Sequence, residues 1–213
     1  MDHFINAFAT LFVTINVLGV LPVFVAMVAP YSVADQRRIA LRANLISWLI
    51  LMAFALGGEP FLRFLDISLP AFQIGGGILL FFVGFEMVFD RRNQQREKSA
   101  KAAVESRDPE NGLQDWQSLA IFPLAVPLLA GAGTMTALIL LSAGAPLGSA
   151  DFFLTLTALT LIMLISTALH LMATMNGNRM NPQLTNILTR LMGVILTALS
   201  AQYVINGYLG ISG

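Results

Sequence analysis

The chain contains no cysteine. That excludes disulfides, cysteine-ligated zinc, iron–sulfur clusters and thiol catalysis together. Charge is scarce as well: Asp, Glu, Lys and Arg make up 11% of the 213 residues, with 12 cations balancing 12 anions. A water-soluble domain of this length carries about 25% charged residues, and a net charge of zero leaves no electrostatic footprint for nucleic acid. The two histidines stand far apart and contribute little toward a metal site. No His-Glu-x-x-His motif is present, and no Gly-Lys-Ser or Gly-Lys-Thr follows the triple glycine Gly75-Gly76-Gly77. That triplet, opening an apolar helix, reads as a packing surface. A Ser–His–Asp constellation would need residues from different depths of a membrane. The chain is therefore not read as an enzyme, and no cofactor or metal is indicated.

What remains is apolar. Hydrophobic residues make up 56% of the chain and mean hydropathy is +0.75, which defines an integral membrane protein with the lipid bilayer as its partner. A bilayer core needs roughly 20 apolar residues per helix. Six segments meet that need, at 4–29, 39–57, 67–89, 118–142, 152–175 and 184–211. The start, Met-Asp-His, lacks the basic region of a signal peptide and the run behind it is long, so the first segment reads as a retained helix. Between the third and fourth segments lies DRRNQQREKSAKAAVESRDPENGLQDWQ, a mixed-charge stretch expected to be solvated. It divides the chain into a first three-helix repeat (1–90), a cytoplasmic linker (91–117) and a second three-helix repeat (118–213). The first, third and fifth loops carry Arg37, Arg38, Arg42, then Arg91, Arg92, Arg96, Lys98, Lys101 and Arg107, then Arg179, against Arg63 alone on the other side. The positive-inside rule then puts both termini in the periplasm of a multi-pass inner-membrane protein.

The halves correspond weakly. FQIGGGILL (72–80) matches TRLMGVILT (189–197) with Gly76 on Gly193, and Pro and Gly interrupt both LFVTINVLGVLPVF and IFPLAVPLLAGAGTM at mid-depth. Three spans separate the copies, so the second enters the membrane from the opposite side. Such inverted-topology repeats bring broken helices together at the midplane to bind a transported substrate. The expected fold is all-α integral membrane: six transmembrane helices as two inverted three-helix repeats, with the first and fourth helices broken. Pro22 removes a backbone donor and Gly19 relaxes the chain, so the two are expected to unwind the first helix. Pro127, Gly131 and Gly133 are expected to do the same in the fourth. Asn16 would then bond the substrate directly and the backbone around the glycines, at exposed helix N-termini, would hold its carboxylate, with Thr134 and Thr136 as caps or ligands. Small residues and Asn also serve plain helix packing; the matched breaks favour a site. No carboxylate falls at the centre of a span, so Glu86, a turn from its helix end, is the default proton or substrate-charge residue, with Arg190 as a second. Arg190 also reads as a side chain that snorkels to the headgroups.

The strings FVTINVLGVLPVFVAM, AFQIGGGILLFFVGFEMV, FPLAVPLLAGAG and TRLMGVILTALSAQYVINGY resemble, over nearly the whole chain, the MarC family of bacterial inner-membrane proteins. That family is also described as neutral amino acid transporters. The resemblance implies an α-helical transporter fold and uptake of small neutral amino acids such as glycine and alanine, with proton coupling as an option. The chain departs from the family pattern where Val17 and Ala132 replace a proline at each break, where Gln73 replaces a common Arg, and where Glu86 replaces a common Gln. Metabolite efflux, and a non-transporting scaffold subunit in which small residues merely pack helices, stay open as alternatives. A homo-oligomer is compatible with so small a chain, though no residue argues for one.

Overall fold

A computed structural model describes residues 2–92, 94–98, 116–145, 147–176 and 182–212; most of the charged stretch, including Lys101 and Arg107, and the loop with Arg179 lie outside them. Among the described residues the chain is helical between short turns and has no strand. The first span is two helices in near continuity, α1 (Asp2–Ile15) and α2 (Val17–Val28), separated by Asn16 alone. They are followed by α3 (Val33–Phe64) and α4 (Leu69–Val88). After the charged stretch, one turn (Trp116–Leu119) leads into a kinked stretch (Ala120–Leu129), here the π-helical segment, whose turns are interrupted by extended backbone at Phe122 and Val126, then α5 (Ala132–Ala143), α6 (Ala150–Asn176) and α7 (Pro182–Ser212).

Five spans are long and apolar enough to cross a bilayer, and the π-helical segment with α5, bent by 57°, makes up to a sixth. Each of the six expected segments thus has its helix. The helices begin where capping chemistry permits. Ser32 accepts from the Asp35 N–H at 3.2 Å to start α3, and Ser68 accepts from Ala71 at 3.4 Å to start α4. Asp66 and Asp90, both at positive φ, close α3 and follow α4. At about 1.5 Å per residue, the 32 residues of α3 outrun a hydrocarbon core of about 30 Å, so its charged first turns extend beyond the lipid.

The core lies around the first span. Ala7, Leu11, Ile15, Val20 and Met27 are fully buried, packed with Ile39, Ala43 and Leu51 of α3, Leu124 and Leu128 of the π-helical segment, and Leu159 and Ile162 of α6. The outer helices instead present Leu45, Leu49, Phe61, Phe82, Leu164, Leu191 and Ile205 outward, as a lipid-facing surface requires. Among the described residues the most extensive pairing is α4 against α7. It runs antiparallel along a seam of small residues. A methyl on Gly84 would meet the Gly193 carbonyl at 2.9 Å, one on Gly193 the Gly84 carbonyl at 2.8 Å, and one on Gly77 the Ser200 carbonyl at 2.9 Å. Backbones this close are the mark of small-residue packing in lipid. Gly77 thereby has the packing role expected of the triple glycine.

Candidate functional site

The first break is built by one residue. Asn16 adopts the left-handed conformation (φ 50°, ψ 56°), which Asn tolerates better than other side-chain-bearing residues. Its side chain folds over the start of α2, where Oδ1 accepts from the Gly19 N–H at 3.2 Å. A methyl on Gly19 would collide with that same amide, so glycine here makes room for the cap. This corrects the sequence expectation that Pro22 and Gly19 unwind the helix. Pro22 sits inside the regular turns of α2, half-buried, and the chain breaks a turn and a half earlier.

The second break owes its shape to a proline pair spaced by four. A proline drives the residue before it toward extended backbone, and Phe122 (φ −128°, ψ 127°) and Val126 (φ −128°, ψ 125°) are both extended inside the π-helical segment. The peptide bonds into Pro123 and Pro127 are cis. Pro123 was not among the expected site residues, although it stands four residues before Pro127 in the sequence. After Ala130, whose N–H reaches back to the Ala125 carbonyl at 2.9 Å, Gly131 starts α5 without any side-chain cap. A methyl on Gly131 would lie 2.8 Å from the Pro127 carbonyl, so only glycine allows that approach. The N–H groups of Ala132, Gly133 and Thr134 stand at the free N-terminus of a helix, and Ala132 and Pro127 are exposed beside the buried Gly131.

Two residues outside the expected set tie the breaks together. Arg92 donates from Nη2 to the Thr14 carbonyl at 3.2 Å, just before the first break, and the same nitrogen lies 4.0 Å from the position a Gly131 Cβ would occupy at the second. Arg96 donates from Nη2 to the Leu128 carbonyl at 3.3 Å. The Thr14 carbonyl lies in the last turn of α1, where a cation completes an unsatisfied acceptor and opposes the negative end of the dipole; the Leu128 carbonyl follows the extended Val126, and Arg96 supplies it with a donor. The start of the charged stretch is therefore not wholly solvated: Arg96 is 6% exposed and Arg92 half-buried. The arginines are four residues apart, one face of a helical turn. That spacing in DRRNQQREK was the available signal, hidden by the surrounding charge.

Three buried polar atoms at the breaks have no hydrogen-bond partner among the described residues: Asn16 Nδ2, Thr134 Oγ1 and Arg96 Nη1. Unpartnered polar groups in an interior are costly and uncommon. Of the expected site residues, the structure thus brings Asn16 and Gly19 to the first break and Gly131 and Thr134 to the second. Gly133 has a different task, since a methyl there would press on Val83 of α4 at 3.1 Å. Glu86 is half-buried on α4 and is the carboxylate whose charge acts on Arg92. Arg190 is exposed on α7, as a snorkelling side chain would be, and has no part in the breaks. His170, buried on α6, instead joins a cluster in which Ser166 donates to Asn44 Oδ1 at 2.7 Å and the Phe24 ring meets the imidazole edge-on at 4.5 Å.

Broken helices meeting inside a bundle of apolar spans define a multi-pass α-helical integral membrane protein. The model of the MarC family of integral membrane proteins matches residues 1–212, and the chain belongs to that family. It is 36% identical to a UPF0056 membrane protein of Methanocaldococcus jannaschii, over 99% of this chain and 98% of the other. It is 31% identical to the UPF0056 membrane protein of Aquifex aeolicus and 31% identical to UPF0056 membrane protein YhcE of Escherichia coli, each over 96% of this chain and 91% of the relative. No solved structure matches the chain.

Proposed function

We propose that this protein is a secondary transporter that carries small neutral amino acids of the glycine and alanine type across the bacterial inner membrane. It works by alternating access, with both termini periplasmic and the two three-helix halves related as inverted repeats. The observation that carries this reading is the junction itself. Two helix breaks lie on either side of one guanidinium, and each leaves a buried polar atom, Asn16 Nδ2 or Thr134 Oγ1, without a partner among the described residues. A zwitterion has the acceptor and donor groups to complete such atoms, and helix N-termini suit its carboxylate. The antiparallel pairing of α4 with α7, the third helix of each half, supports the repeat.

The test is uptake of labelled glycine and alanine into proteoliposomes with and without an imposed proton gradient. Asn16→Gly is the informative variant, because it keeps the left-handed backbone and removes only the amide; Asn16→Ala adds a backbone cost of about 1 kcal/mol. Saturable uptake by the parent that falls about tenfold or more in Asn16→Gly is expected, the equivalent of a hydrogen bond to a charged group. Uptake equal to the parent's in a folded Asn16→Gly would remove Asn16 from the site, and a folded parent without uptake would remove amino acid import.

A further inference from the structure

Among the described residues Arg96 is a buried cation that the breaks alone do not explain. It sits 6% exposed at the second break, spends Nη2 on the Leu128 carbonyl, and leaves Nη1 buried with no partner among the described residues. Among the described residues, the charge that acts on it is that of another cation, Arg92. Arg92 has the opposing charge of Glu86 nearby, yet neither guanidinium is within ion-pair distance of a carboxylate among the described residues. Side-chain entropy and dehydration both work against burying a cation in this way. A guanidinium is charged at any physiological pH and presents a rigid fork of donors that matches a planar oxyanion. With Nη2 fixed on a carbonyl, Nη1 is held in place and free to donate. The free N–H groups at the start of α5 belong to the same break and add a second set of donors with the positive end of a helix dipole.

We infer that Arg96 is an oxyanion-binding residue at the second break that takes the carboxylate of the transported molecule. This rests on the transport reading for the identity of the ligand and deepens it by separating two tasks. Arg92 holds the Thr14 carbonyl with its guanidinium beside Gly131 and so positions the breaks, whereas Arg96 recognises the charge. The same chemistry would also accept the phosphate of an anionic lipid headgroup, so the experiment separates the two sources.

Purified protein in phosphatidylcholine nanodiscs is titrated with labelled glycine, with acetate and with glycinamide as competitors. Acetate keeps the carboxylate and lacks the amine; glycinamide does the reverse. Acetate is expected to compete and glycinamide to fail. Arg96→Gln is expected to weaken glycine binding by about tenfold or more, in keeping with loss of a hydrogen bond to a charged group, with Arg96→Lys intermediate and the exposed Arg38→Gln unchanged. Should Arg96→Gln not fold, the acetate and glycinamide comparison on the parent decides alone. Equal competition by glycinamide, or unaltered glycine binding in folded Arg96→Gln, overturns the inference. So does an Arg96-dependent block of acetate binding by added phosphatidylglycerol, which would make a lipid headgroup the ligand. Glycine uptake by the parent with binding indifferent to Arg96→Gln would remove this site and leave transport standing. Acetate binding lost in Arg96→Gln, with no uptake of any amino acid, would keep the anion site and retire the transport reading.

Discussion

Asn16 and Gly19 behave as one unit, because the side chain of the first occupies the space that a side chain on the second would need. The amide that caps α2 through the Gly19 N–H occupies that space, so Gly19→Ala must displace it and cost the cap. We expect Gly19→Ala to destabilise the protein by about 1–3 kcal/mol, the usual range for overpacking. In an Asn16→Gly background the obstacle is gone, and the same substitution should cost little or turn mildly stabilising through the better helix propensity of Ala. Denaturant titration of the four proteins in detergent gives the coupling energy directly. An additive cycle would mean that the two residues are independent and that the capping geometry is not what holds the first break.

At the scale of elements, the spans were legible because bilayer thickness demands long apolar runs; α3 and α7 simply extend beyond the runs that hydropathy marks. The breaks were legible in place but not in cause. Proline draws attention in a sequence, yet Pro22 is accommodated inside α2, and the turn belongs to Asn16, whose left-handed preference shows only once the backbone is known. In the fourth span the prolines do act, as the pair Pro123 and Pro127 spaced by four, each making the residue before it extended. Arg92 and Arg96 were not legible, because a charge in a run of charges looks solvated until its partners, the Thr14 and Leu128 carbonyls from both halves of the chain, come into view. The α4–α7 seam could be expected only as generic small-residue packing, since which glycine faces which depends on register. That register makes a specific prediction. Gly84→Val drives a branched side chain into Thr197 and the Gly193 carbonyl and should destabilise by about 1–3 kcal/mol or more, whereas Gly75→Val, with open space around it, should cost no more than helix propensity. Thermal denaturation in detergent distinguishes the two, and equal losses would disprove the seam.

For the whole molecule the issue is whether the junction opens. In the conformation described, Asn16 and Thr134 are both fully buried. A packed scaffold would keep them so, while alternating access requires that some conformation expose them to one aqueous side or the other. The natural absence of cysteine makes this measurable without background. Thr134→Cys, a near-isosteric change at the start of α5, should react with a membrane-impermeant thiol reagent at a rate far below that of an exposed control such as Arg38→Cys, yet measurably. Population-shift reasoning says the rate reports the fraction of open molecules, so a ligand that favours one state must change it. Glycine is expected to alter the rate, and the direction tells whether the ligand-bound form is closed or open to the reagent. No reaction over hours from either side, with or without ligand, would make the junction a permanent packing feature and leave its unpartnered polar atoms to some role other than transport.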